Sequence, residues 1–190
     1  MKDLIKQLNN ISIIETNLKD AYLITNKKIE DERGFFIECF SLNQFKKNIA
    51  HDVEFVQENH SKSFKGVLRG LHYQIKHPQG KLVRCISGSV FDVIVDLRRS
   101  SPTFGKWYGI ELNQNNLQLW VPPGFAHGFY TLTETAEFVY KTTDYYYPEY
   151  DRTLMWNDPD LNISWNCSET LILSSKDLSG KSFKECEKYE

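Results

Sequence analysis

Lys81-Leu82-Val83-Arg84-Cys85-Ile86-Ser87-Gly88-Ser89-Val90-Phe91-Asp92-Val93-Ile94-Val95-Asp96-Leu97 reads as two β-strands joined at a turn. Both halves are rich in β-branched and aliphatic residues, and Ser87-Gly88-Ser89 supplies the turn chemistry between them. The same signal recurs at Ala21–Thr25, Phe35–Phe40, Val53–Ser61, Val67–Gln74, Trp107–Leu112, Leu117–Val121, Phe125–Leu132 and Ala136–Thr142. Glu32-Arg33-Gly34, His77-Pro78-Gln79-Gly80, Ser100-Ser101-Pro102, Asn113 to Asn116 and Pro122-Pro123-Gly124 punctuate these runs. Leu42–Ile49 reads as the one internal helix, and Met1–Asn10 fits a short amphipathic helix with Leu4, Ile5 and Leu8 on one side. Many short, regularly spaced strands predict an all-β fold, most simply a double-sheet jelly roll with a few short peripheral helices. We expect a single domain over 1–190, with 1–10 as an N-terminal extension and 178–190 as a C-terminal tail.

The bulk numbers exclude several classes. A chain of 190 residues suits one domain with a substantial core. A net charge of −2 gives no electrostatic footprint for nucleic acid or an anionic membrane, so any anionic ligand must be held by local Arg and Lys. The N-terminus lacks the apolar stretch of a signal peptide, and no window approaches a membrane span. Cys39, Cys85, Cys167 and Cys186 show no C-x-x-C spacing, so a reduced, cytoplasmic protein is expected.

Gly66-Val67-Leu68-Arg69-Gly70-Leu71-His72-Tyr73-Gln74 breaks the apolar pattern by placing an arginine and a histidine in a strand. Arg84 and Lys81 do the same, and Val121-Pro122-Pro123-Gly124-Phe125-Ala126-His127-Gly128-Phe129 adds a second histidine among aromatics. Charge is rarely buried unless paired or used, so these segments point to a polar pocket inside a barrel. Strand parity puts Gln57, Asn59 and Ser61 on one face, and Tyr140 with Ala136 and Phe138 on another. Arg69 and His72 have opposite parity. If both reach one pocket, Gly70 must mark a bulge.

Together the motifs resemble the dTDP-4-dehydrorhamnose 3,5-epimerase family, the third enzymes of nucleotide-activated rhamnose synthesis. The markers are Asp31-Glu32-Arg33-Gly34-Phe35-Phe36, Gln57-Glu58-Asn59-His60-Ser61, the Arg69-to-Lys81 block, Ser101-Pro102-Thr103-Phe104-Gly105, Pro123 to Phe129, Tyr140-Lys141, Tyr145-Tyr146 and Trp156-Asn157-Asp158-Pro159. The resemblance covers roughly residues 11–180. It implies a cupin-type jelly roll, usually a homodimer, that works as an isomerase without metal or organic cofactor. The implied substrate is a nucleoside-diphosphate 4-keto-6-deoxyhexose, and the usual destination is cell-surface carbohydrate such as lipopolysaccharide.

The C4 ketone of such a sugar acidifies C3 and C5, so each centre can invert through an enolate. That chemistry needs a base, an acid on the opposite face and a cation near O4. His72 is the candidate base, since an imidazole titrates near neutral pH. Asp177 matches the family's orienting carboxylate, although it can equally cap a terminal helix, and Asp92 is a second possible orienter. Tyr140 matches the family's acid, with an ordinary core tyrosine as the bland alternative. Lys81 would stabilise charge on O4. Arg69 suits diphosphate or sugar oxygens. Arg33, Glu38, Gln57 and Asn59 match nucleotide and phosphate positions, with Arg33 a candidate to cross from a partner subunit. His127 is expected to line the sugar pocket, Tyr146 to stack on the base, and Lys176 to bind substrate. Asp151 stands where the family often has a longer glutamate.

Three alternatives remain open in the sequence: a mono-epimerase, an epimerase of another nucleotide sugar such as a GDP- or CDP-linked one, and a metal-dependent cupin. The last lacks an H-x-H pair after His72 and would need His60 to converge on His72. A non-catalytic sugar-nucleotide module would keep the pocket without His72, Lys81 and Tyr140 acting together.

Overall fold

Alternating apolar side chains along many short strands demand a surface to bury against, and each sheet provides one for the other. The computed structural model describes residues 5–8, 10–167 and 171–190. Its strands are β1 (Ile5–Leu8), β2 (Ile11–Glu15), β3 (Tyr22–Asn26), β4 (Lys28–Asp31), β5 (Gly34–Ile37), β6 (Gln57–Phe64), β7 (Leu68–Gln74), β8 (Lys81–Ser87), β9 (Ser89–Asp96), β10 (Trp107–Asn113), β11 (Leu117–Val121), β12 (Phe125–Thr131), β13 (Thr135–Thr142) and β14 (Asp151–Thr153). The α-helices are α1 (Leu42–Asn48) and α2 (Ser175–Leu178). One sheet runs β1-β2-β3-β11-β8-β13-β6 and the other β10-β9-β12-β7-β14, with β4-β5 a separate hairpin. Neighbouring strands pair antiparallel. This is the all-β double-sheet jelly roll that the strand spacing predicts.

Between the sheets, Val83, Leu119 and Phe138 of the larger one pack with Ile94, Phe125 and Phe129 of the smaller. Fully burying a side chain such as Phe138 stabilises the fold by about 1.5–3 kcal/mol. The outer faces are covered too. The helix α1 lays Phe45 edge-on against Trp120, 4.9 Å between ring centres, with Leu82 and Ile24 beside them. On the other side Leu154, Leu161, Trp165 and Cys186 cover Leu71, Tyr73 and Val95.

Some expectations shift. In place of the N-terminal helix, Ile5–Leu8 is a strand paired with Ile11–Glu15. So short a helix is marginal in isolation, whereas the sheet edge offers a ladder. Met1 to Leu4 and Asn9 lie outside the described residues. The strand expected from Val53 starts only at Gln57, because Val53 and Phe55 fold onto the Trp120 cluster. Phe35–Phe40 shortens to Gly34–Ile37 and pairs with Lys28–Asp31 alone. Of the C-terminal stretch, Ser175–Leu178 is helical; beyond it Cys186 is buried and Tyr189 bridges to Arg98.

Candidate active site

A cavity of about 480 Å³ opens between the sheets, with His72, His127 and Arg69 on one wall and Tyr140, Lys81 and Asn59 on the other. His72 and His127 are cross-strand partners on β7 and β12, yet Arg69 pairs with Phe129. Three steps along β7 therefore match two along β12, which is the bulge the parity argument required. Gly70 sits there with φ +129°, and the Gly70–Leu71 peptide is cis. A Cβ on Gly70 would stand 2.5 Å from the Gly128 Cα, so two glycines let the strands approach. The bulge turns both Arg69 and His72 toward the cavity.

Asp177 settles the position of His72. Its Oδ1 accepts from His72 Nε2 at 2.7 Å and from the Gly70 N–H at 3.1 Å. Its Oδ2 accepts from the Ser174 hydroxyl at 2.6 Å and the Ser174 N–H at 3.3 Å. The residue caps α2 and bonds the histidine at once. Burial pushes its carboxyl up, but the bonds from His72, Ser174 and Gly70 outweigh that and hold it at about 2. An ionised carboxylate only accepts, so His72 Nε2 carries the proton and Nδ1 keeps a free lone pair. Burial lowers the His72 pKa despite the Asp177 bond, leaving the imidazole neutral near pH 7. A neutral, oriented imidazole is a base.

The other wall is poised differently. Burial raises the Tyr140 pKa, only partly countered by the Arg69 charge, so the phenol stays protonated. Lys81 is 8% exposed, and burial lowers its ammonium to about 8 against the pull of Asp151 and Asp92. Among the described residues no carboxylate lies within ion-pair distance of Lys81, so its charge is available to a ligand.

Asp92 does not orient His72. It is fully buried and its Oδ2 meets His127 Nε2 at 2.9 Å, forming a second His–Asp pair that the sequence reading missed. Burial raises its pKa, and among the described residues Oδ1 has no hydrogen-bond partner. The signal lay in the parity of Asp92 with Ile94. Arg69 Nε donates to the buried Ser63 Oγ at 3.0 Å, a contact no motif announced.

At the rim the Tyr146 hydroxyl donates to Asp151 Oδ2 at 2.9 Å, and Lys176 pairs with the same oxygen. Asp151, although shorter than glutamate, thus reaches the rim. Gln57 donates to Asn59 Oδ1 at 2.9 Å. Arg33 and Glu38 are not brought to this cavity within the chain. Arg33 pairs with Asp31 at the tip of the exposed β4–β5 hairpin, and Glu38 lines a separate groove beside α1. His60 also borders the cavity, but its ring is paired with Glu137. Among the described residues no cluster of three His, Cys, Asp or Glu side chains is arranged to hold a metal.

Comparison with known proteins bears on this geometry directly. The profile of the dTDP-4-dehydrorhamnose 3,5-epimerase family matches residues 15–185. The chain belongs to that family. A dTDP-4-dehydrorhamnose 3,5-epimerase of Pseudomonas aeruginosa is 52% identical over 171 residues, 90% of this chain and 94% of that protein. One from Neisseria gonorrhoeae is 56% identical over 179 residues, 94% of this chain but 54% of that longer protein. Among solved structures, the dTDP-6-deoxy-D-glucose-3,5-epimerase of Legionella pneumophila, in complex with dTDP-4-keto-L-rhamnose, superimposes with a TM-score of 0.91 at 47% identity. That match covers 93% of this chain and 95% of the other. The Legionella enzyme thus shares this jelly roll over nearly the whole of both chains.

Proposed function

We propose that this epimerase inverts C3 and C5 of a nucleoside-diphosphate 4-keto-6-deoxyhexose, converting dTDP-4-dehydro-6-deoxy-D-glucose to dTDP-4-dehydro-L-rhamnose. One observation carries the reading: a neutral, carboxylate-oriented imidazole and a protonated phenol line opposite walls of one cavity. His72 Nδ1 removes the proton next to the ketone, the C–H electron pair becomes the C=C bond, and the carbonyl π pair moves onto O4 to give the enolate. The Lys81 ammonium stabilises that oxyanion in a poorly solvated site. Tyr140 returns a proton to the other face, which inverts the centre. One proton leaves and one arrives, so nothing is oxidised.

Arg69 and Lys176 are assigned to the diphosphate and sugar oxygens, Tyr146 to the base, and His127, Asn59, Gln57 and Asp151 to the surrounding contacts. The β4–β5 hairpin supports a homodimer in which Arg33 and Glu38 complete a partner's nucleotide site. Its Ile29, Phe35 and Phe36 are 56%, 66% and 70% exposed, an apolar surface that a second copy would cover. Four free cysteines fit a reducing cytoplasm.

The test is solvent deuterium exchange with a panel of dTDP-, GDP- and CDP-linked 4-keto-6-deoxyhexoses. Label at both C3 and C5 of the dTDP sugar is expected. Label at one carbon only replaces the reading with mono-epimerisation, and no label with any sugar rejects catalysis.

A further inference from the structure

Gln74 ends β7 with a side chain that is 3% exposed, and its side-chain hydrogen bonds go to the backbone of two loops. Its Nε2 donates to the His77 carbonyl at 2.8 Å and the Tyr145 carbonyl at 3.1 Å. Its Oε1 accepts the Tyr147 N–H at 2.7 Å. The residue between those last two anchors is Tyr146, whose ring is half exposed and whose hydroxyl holds Asp151. Gln79 reinforces the same segment by donating to the Asp144 carbonyl at 2.9 Å. The His77 ring lies against Tyr147, 4.5 Å between centres. A single buried amide therefore fixes the backbone on both sides of the aromatic at the rim.

We propose that Gln74 is the positioning residue for the nucleotide end of the site, setting Tyr146 and Asp151 without taking part in proton transfer. This rests on the nucleotide-sugar reading above. The chemistry demands a planar group with two donors and an acceptor, and glutamine supplies both within one amide. A carboxylate in its place keeps the shape but turns lone pairs toward two carbonyl oxygens. Half-buried backbone carbonyls turned against lone pairs will rearrange until they find donors, and the segment carrying Tyr146 moves with them.

Gln74→Glu should raise KM for the dTDP sugar about tenfold, the loss expected from one displaced base–aromatic stack. Because His72, Tyr140 and Lys81 stand on other supports, kcat should stay within about twofold. A merely structural role would do the reverse, lowering kcat with the inactive fraction while KM holds. An unchanged KM, or a fall confined to kcat, overturns the proposal. Should Gln74→Glu not fold, Gln79→Met frees the Asp144 carbonyl at the edge of the segment and must raise KM in the same way. Calorimetry with dTDP alone separates the two layers of argument. Wild type that neither binds dTDP nor exchanges protons removes the functional reading. Wild type that does both, with Gln74→Glu binding dTDP equally well, removes only the role of Gln74.

Discussion

Asp177→Asn should slow deuterium exchange at C3 and C5 by about 10²–10⁴-fold while leaving the jelly roll folded. The carboxylate accepts on both oxygens, from His72 and Gly70 on one and from Ser174 on the other. A carboxamide has one accepting oxygen. If that oxygen faces His72, the Ser174 N–H loses its partner and the α2 cap weakens by about 1 kcal/mol. If it faces Ser174, the amide NH₂ meets His72 and forces the tautomer that carries its proton on Nδ1. No base then faces the sugar. Losing the charge alone forfeits about 1.5–3 kcal/mol of stabilisation for the imidazolium, about ten- to 150-fold in rate. The wrong tautomer accounts for the upper figure, as when the aspartate of a Ser-His-Asp triad becomes asparagine. The assay is label wash-in followed by NMR across pH. Burial lowers the His72 pKa and Asp177 raises it, so the acid limb of kcat/KM lies below about 6.5 and moves lower still in the variant. Stability follows a separate rule. The folded value of Asp177, about 2, lies below the unfolded value of about 4, so its contribution is complete above pH ~4 and is lost toward pH 2. The variant should lack that acid loss in Tm. Exchange within threefold of wild type, or an acid limb that rises, would refute the reasoning.

Tyr140→Phe should slow net inversion more than label wash-in, since the base remains; equal loss of both, measured in one NMR time course, would remove Tyr140 from the acid role. Lys81→Met should abolish the alkaline limb of the pH–rate profile, which in the wild type falls as the ammonium loses its proton near 8; a limb that persists in the variant points elsewhere. Asp92→Asn should cost less exchange rate than Asp177→Asn, and the opposite order in parallel assays would exchange the two histidines' roles. Gly70→Ala should lower stability by about 2–3 kcal/mol, because its Cβ would strike the Gly128 Cα at 2.5 Å with φ at +129°. For a chain of this size that is roughly 4–12 °C in Tm, and a melt within 2 °C of wild type would count against the bulge argument.

Strands announced themselves wherever alternation and turn chemistry agreed, as at Leu117–Val121, which the structure reproduces residue for residue. The N-terminal strand did not, because the spacing of Leu4, Ile5 and Leu8 in the sequence satisfies a helical period. Lys28–Asp31 is charged, exposed along its length and paired only within its hairpin, so no burial pattern marks it. In the site, parity alone exposed the conflict between Arg69 and His72 and located its remedy at Gly70. The pairing of His72 with Asp177 spans 105 residues, and nothing local encodes it. The same holds for Asp92 with His127 and for Gln74 with the Tyr145–Tyr147 backbone. Such contacts depend on which loop lands over which strand, and that is decided by the whole sandwich.

Two His–Asp pairs stand side by side in one cavity, and their carboxylates are not in equivalent surroundings. Asp177 accepts four hydrogen bonds and lies at a helix start, so its charge is held and its histidine is locked with Nδ1 free. Asp92 is buried deeper and, among the described residues, makes one side-chain bond and keeps an oxygen without a partner, so burial favours its protonated form. A carboxyl inclined to hold a proton gives little electrostatic support to charge developing on a neighbouring ring. It suits a residue that orients a hydroxyl or ketone by hydrogen bonding instead. Environments that push like groups apart in proton affinity are how one fold assigns a base and a binder from the same residue types. Here the division follows from Ser174 and the Gly70 N–H, which serve one carboxylate and not the other.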